Sequence, residues 1–394
     1  MLPIALVYTP SFAVHDPGQI IVKGNNLYHL VAGLELLDPD YTLDKIQFPY
    51  PVVSPVPHPE ASSRLSAAAS ALREFQLDKR MVVFEPEPAT DAELQAAHTP
   101  EYIAKVRAVS STGGFLAEST YLSRGSYETA LLSAGAGISA VKGIKSGRFA
   151  SALSLNRPPG HHAGREYAGG FCLFNNAAIV AKYCLEKGGM KRVFVLDWDL
   201  HHGNGTQDIV QHDPRITFCS IHQFGPQLYP ETGNLGDIGT NGNLINLPLP
   251  AGVRDDEYWA VFQATVPALI EQAKPDIVIV SAGFDGHFND TNHLYLYDPG
   301  AGFWLSAQLY HKLTSLVAEV TAAVGGHYLL LLEGGYDAVN LGKSLVNTSA
   351  AMLNLPPMIK ETLPQTKEVL PDFDLEGYVA TLNAVHLGNW KFSR

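Results

Sequence analysis

The stretch RVFVLDWDLHHGNG, residues 192–205, carries the pattern that decides the fold. Its first half is a nearly unbroken apolar run ending in acidic residues; its second half is polar and glycine-rich. Such a run suits a strand buried on both faces, as in a parallel sheet covered by helices. Four more runs repeat the design: ASALSLN (150–156), ITFCSIH (216–222), DIVIVSAG (276–283) and YLLLLEGG (328–335). Between them lie helical stretches such as NNAAIVAKYCLEKG (175–188) and DDEYWAVFQATVPALIEQAKP (255–275), the latter opening on acidic residues and stopping at Pro275. The expected architecture is one large α/β domain, a central, mostly parallel sheet with helices on both faces. The first residues, MLPIALVYTPSFAVHDPG, read as a first buried strand rather than a signal peptide, because they lack a basic leading region and are broken by Pro10.

Composition narrows the function classes. Of 394 residues, 46% are hydrophobic and 17% charged, enough to bury a large core. The net charge of −12, without a basic block, argues against a nucleic-acid surface and leaves cationic substrates open. No stretch approaches the roughly 18 apolar residues of a membrane span. Cys172, Cys184 and Cys219 make neither a disulfide framework nor a zinc finger, so a reducing, cytoplasmic location is expected.

Every recognisable strand ends in polar or glycine-rich residues: NRPPGHH, DWDLHHGNG, SIHQFG, SAGFDGH and EGGYD. Ligands of open α/β sheets bind beyond the carboxyl ends of the strands, so the five tips are expected to meet at one site. In DWDLHH, Asp197, Asp199 and His201 alternate, and an extended backbone points all three to one side. Asp199 and His201 then form part of a divalent-metal site, to which Asp285 of SAGFDG can add a third ligand. Two carboxylates and one imidazole balance a dication and leave room for water, as in hydrolytic zinc sites. Adjacent His161 and His162 diverge in most backbone conformations and do not easily chelate one ion; they suit the base and acid that hydrolysis needs. Asp197 and Asn204 are the best-placed groups to orient them. Tyr336, after two glycines, can aim its hydroxyl at a developing oxyanion.

Taken in order, RPPGHHAG, GGFCLFNNAA, DWDLHHGNGTQ, SAGFD and EGGYD resemble the zinc-dependent histone deacetylase family, including its bacterial deacetylases and acetylpolyamine amidohydrolases. Weaker echoes occur in HPEASSRL, HTPEYIAKV and STYLSRGSYETALLSAGA. The resemblance runs from about residue 58 to 355. It implies the arginase/deacetylase-like fold and one catalytic Zn²⁺ on Asp199, His201 and Asp285. It makes His162 the general base and acid, His161 its electrostatic partner held by Asp197, and Tyr336 the oxyanion donor. It further implies a structural potassium ion near Asp197, Asp199, His201 and Ser220. Phe171 and Tyr229 fall where the family lines its acyl-lysine channel, and Gly170 where a carbonyl accepts the substrate amide. Asn204 stands where some members carry aspartate, the class II pattern. The implied substrate is an acetylated protein or a small acylated amine.

Two departures concern selectivity. HDPG (15–18) is separated from HPE (58–60) by an insertion, 19–57, expected to shape the channel mouth or to form a homo-oligomer contact. The loop 286–297 is lengthened before DPGAG (298–302), which puts Asn292 or Gly300 at an apolar rim position. Residues 1–355 are read as the catalytic domain and 356–394 as a C-terminal extension. Two competitors remain: a binuclear manganese ureohydrolase, disfavoured by Gly203 where a further carboxylate is needed, and a non-catalytic module that binds acylated ligands.

Overall fold

Nearly continuous apolar runs need cover on both faces, and the computed structural model shows how they obtain it. It describes residues 2–23, 26–31, 34–42, 56–226, 228–290, 302–364 and 373–392. The chain opens with β1 (Ile4–Val7), all four residues buried. An antiparallel sheet follows: β2 (Gln19–Lys23), β3 (Asn26–Val31), β4 (Leu34–Thr42) and β5 (Val56–Pro57), in the order β4-β3-β2-β5. Then come β6 (Val82–Phe84), the hairpin β7 (Gly114–Ala117) and β8 (Thr120–Leu122), and β9 (Ser151–Ser154). The rest are β10 (Val193–Asp197), β11 (Ile216–Gln223), β12 (Leu244–Leu249), β13 (Ile277–Ala282) and β14 (His327–Leu332).

Eight of these strands form the central sheet in the order β12-β11-β10-β13-β14-β9-β1-β6. Every pairing in it is parallel. The chain is thus a single-domain α/β protein with helices around a central parallel sheet. All five runs picked out in the sequence are strands of this sheet. Strand order reverses between β10 and β13, and such a switch point opens a crevice at the carboxyl ends. In register, Asp197 at the tip of β10 stands between Ser220 of β11 and Ser281 of β13.

The two helices read from the sequence run over Asn176–Glu186 and Asp255–Ala273. Asn175 caps the first by accepting from the Ala178 N–H. Asp255, Asp256 and Glu257 place negative charge at the positive end of the second. Among the described residues no helix is long and apolar enough to cross a membrane. The three cysteines are free and buried.

The ends of the insertion meet: the His58 N–H donates to Gly18 O at 3.2 Å, and Gln19 pairs with Pro57. Residues 43–55, the rim candidates Asn292 and Gly300, and most of the 286–297 loop lie outside the described residues. Beyond residue 355, the helix Leu375–Val385 buries Val379 and Leu382 in the common core.

A buried charge cluster ties the early motifs together. Glu60 faces Arg157 at 2.8 Å, Arg64 at 3.1 Å and His15 at 3.5 Å, and all four are at most 2% exposed. Removing one member of a buried ion pair leaves the other uncompensated. Glu60→Gln is therefore expected to destabilise the fold by about 3–5 kcal/mol, read as a lower midpoint of urea unfolding. An unchanged midpoint would show that backbone carbonyls alone satisfy the two arginines.

Candidate active site

Strand β10 stops at Asp197, four residues before the end of the alternating pattern at His201. Beyond it a local turn brings the ligating groups together: Asp199 Oδ1 accepts from the His201 N–H at 2.9 Å and lies 3.2 Å from His201 Nδ1. Trp198 and Leu200 point into the core, as the alternation requires. Asp285 arrives from the end of β13, its Oδ2 3.0 Å from His201 Nδ1 and its Oδ1 accepting from the Leu200 N–H. Gly334, at the end of β14, donates its N–H to Asp199 Oδ2 at 2.9 Å. A side chain there would strike the carboxylates of both Asp199 and Asp285.

Asp199, His201 and Asp285 offer buried ligand atoms within 4.8 Å of one another. Three atoms bound to one tetrahedral zinc at about 2.0–2.2 Å stand roughly 3.3–3.6 Å apart, close to the spacing of the His201 contacts. The electrostatics favour a cation. Burial and the neighbouring Asp199 both raise the pKa of Asp285, and burial raises that of Asp197. Burial also opposes charge on Asp199, but His161 and His201 outweigh it and hold that carboxyl low. A dication set among the three carboxylates would relieve their repulsion.

Against the expectation that they diverge, the rings of His161 and His162 lie 3.9 Å apart at 42°. Glu333 holds the turn beneath them by accepting from the N–H groups of Gly160 and His161. Their partners differ. His161 Nδ1 lies 3.0 Å from Asp197 Oδ2, and His162 Nδ1 lies 2.7 Å from Asn204 Oδ1. Burial works against a charged His161, but Asp199 and Asp197 lift its pKa to about 10. Burial, then the positive fields of His161 and His201, holds His162 well below its ordinary value. Their surroundings thus push the two adjacent imidazoles in opposite directions, a usual mark of divided acid–base roles.

Tyr336 follows Glu333 and the glycine pair. Its ring packs edge-on against Phe171 at 5.7 Å and beneath Arg64 at 4.7 Å. Its N–H donates to Asp290 Oδ2 at 2.7 Å. Burial raises its pKa well above 10, so the hydroxyl keeps its proton. Tyr229 is 41% exposed, with its ring 4.8 Å from His162. Phe171 is buried, at a φ of +68°. Gly170 lies so close to the His162 ring that a side chain there would enter it, and its carbonyl accepts from the Cys172 thiol at 3.3 Å. A carbonyl oxygen keeps a second lone pair. Ser220 is buried on β11, with Oγ 2.9 Å from His222 Nδ1.

The structure therefore gathers His161, His162, Asp197, Asp199, His201, Asn204 and Asp285 in one cluster, with Tyr336, Phe171, Gly170 and Tyr229 around it. It also adds residues that the sequence reading passed over. Arg64 donates to the carbonyls of Gly335 and Glu333 at 2.6 Å each, which fixes the approach to Tyr336. Glu333 lies inside a motif already singled out, and Arg64 sits in HPEASSRL. Glu333, a charged residue closing an apolar run, carried a readable signal, whereas Arg64 follows a polar stretch and carried none of that kind.

Comparison with known proteins agrees with this geometry. Residues 58–352 match the histone deacetylase domain. An uncharacterised Synechocystis protein, slr0245, is 39% identical over 75% of this chain and 94% of its own. The histone deacetylase-like amidohydrolase of Pseudomonas aeruginosa is 34% identical over 71% of this chain and 72% of its own. The human polyamine deacetylase HDAC10 is 33% identical over 75% of this chain, which matches 45% of that longer protein. The crystal structure of the HDA15 HD domain superposes with a TM-score of 0.78 at 28% identity, covering 99% of this chain and 95% of that one. With the domain match spanning the motifs at all five strand tips, the chain belongs to the histone deacetylase family.

Proposed function

We propose that the protein is a zinc-dependent deacetylase that hydrolyses acylated amines such as acetyl-lysine to the free amine and the acid. The carrying observation is the buried Asp199–His201–Asp285 group set beside two histidines with different partners, His161 on Asp197 and His162 on Asn204. A zinc ion held by these three residues would supply Lewis acidity and make water more acidic. With the amide of Asn204 turned so that Oδ1 faces the ring, His162 carries its proton on Nδ1 and its lone pair on Nε2. Nε2 then takes the proton of the attacking water and hands it to the departing amine, so the proton balance closes within one residue. His161, paired with the Asp197 carboxylate, stands next to His162 as its electrostatic partner. The Tyr336 hydroxyl donates to the carbonyl oxygen as negative charge grows there. Phe171 and Tyr229 flank the acyl-bearing stem.

A second reading is narrower: an acetylpolyamine as substrate. The net charge of −12 suits a polycation, and one relative carries the name polyamine deacetylase. A turnover panel of acetyl-lysine peptides, acetylpolyamines and longer acyl amides decides between them. We expect amine release from at least one class, lost on chelation and restored by zinc. Zinc-loaded protein that binds these compounds but releases no amine would overturn the proposal in favour of a binding module.

A further inference from the structure

Residues 356–364 lie beyond the part of the chain that matches the family domain, yet they reach the back of the active site. Asn347 grips the start of this segment, its Oδ1 accepting from the Met358 and Ile359 N–H groups and its Nδ2 donating to Ile359 O. Glu361 then inserts its carboxylate among three elements. Oε2 accepts from the Ala307 N–H at 2.9 Å and lies 2.8 Å from His287 Nε2, while Oε1 accepts from Lys343 Nζ at 3.0 Å.

The His287 contact matters because of what its other nitrogen does. Nδ1 accepts from the Asn289 N–H at 3.2 Å, so the proton sits on Nε2 and is donated to Glu361. A carboxylate partner fixes both the tautomer and the orientation of an imidazole. The turn so held, 286–290, begins directly after Asp285. It ends at Asp290, whose Oδ2 accepts from the N–H groups of Tyr336 at 2.7 Å and Asp337 at 3.0 Å. Asn340 closes the loop from the other side by donating to Asn289 O.

We propose that this segment is a strap that positions Tyr336, with Glu361 as its positioning residue acting through His287 and the 286–290 turn. The inference rests on Tyr336 being the oxyanion donor. A catalytic group displaced by about 1 Å costs on the order of 10²-fold in rate. Loss of the strap should act on kcat, because the strap supports the main chain of Tyr336 through Asp290 and, among the described residues, makes no bond to the channel residues.

The test compares Glu361→Ala, Glu361→Gln and Tyr336→Phe in the full chain. For Glu361→Ala we expect kcat to fall by about 10–10², with KM changed far less and zinc content unaltered. Glu361→Gln retains an acceptor for His287 and should recover most of the loss. In metal-free protein, hydrogen exchange at the Tyr336 and Asp337 amides should quicken in Glu361→Ala, a readout independent of turnover. Should that variant not fold, Lys343→Met removes one partner of the carboxylate, and a smaller kcat fall with faster exchange is expected. Normal kcat and normal amide protection in the strap variants, alongside an impaired Tyr336→Phe, would overturn the strap alone. An unimpaired Tyr336→Phe would overturn the assignment beneath it.

Discussion

Asp285→Ala is expected to leave a folded protein that neither retains zinc nor turns over substrate. The substitution removes the oxygen that stands 3.0 Å from His201 Nδ1, which leaves two protein ligands where catalytic zinc sites use three. Lewis-acid assistance amounts to several kcal/mol. Because about 1.4 kcal/mol is a factor of ten, the fall in turnover should be at least about 10³-fold. Folding should survive, since the change also relieves the repulsion between two buried carboxylates. Its local cost is the acceptor of the Leu200 N–H. Elemental analysis, a thermal melt and turnover on one preparation separate loss of metal from loss of fold. Full activity in a metal-stripped Asp285→Ala preparation would refute the ligand assignment, and two equivalent manganese ions in the parent protein would refute the single-zinc reading.

Tyr336→Phe isolates a single hydroxyl. The ring keeps its place against Phe171 and Arg64, and the backbone keeps its bond to Asp290. Loss of one oxyanion donor costs about 10²–10³ in kcat, and that is the expected fall. KM should change far less, because the bond strengthens only as charge develops on the carbonyl oxygen. An unchanged kcat would return Tyr336 to a packing role.

Legibility in the sequence followed the physics of each group. The strands β9, β10, β11, β13 and β14 are buried on both faces, and burial writes itself as an unbroken apolar run. By contrast, β12, LINLPL, carries Asn246 and Pro248 and breaks that pattern, and β6 is a three-residue edge strand. The insertion strands lie outside the central sheet and pair with one another, so no run buried on both faces marks them. At the site, the side chains that the structure gathers in one cluster all lie in motifs visible in the sequence. Asp290 could not be read in this way, because it works on the backbone N–H groups of Tyr336 and Asp337, and a main-chain donor leaves no signature in residue type. Glu361 escaped for a related reason: its partners lie at 287, 307 and 343, and no local spacing joins them.

The closing of residues 18 and 58 on one another has a consequence for how such a protein can diversify. The flanks of the insertion are anchored independently, His15 and Glu60 facing each other in the buried charge cluster and the His58 N–H bonded to Gly18 O. The chain between them thus leaves and rejoins the body at one place. The entropy of closing such an excursion grows only with the logarithm of its length, about 0.6 kcal/mol per doubling. The junction therefore behaves as a socket, where segments of different length and chemistry can be exchanged at small thermodynamic cost. Because it opens directly onto the HDPG and HPE motifs, new surface can be grafted beside the chemistry while the hydrolytic core is inherited unchanged.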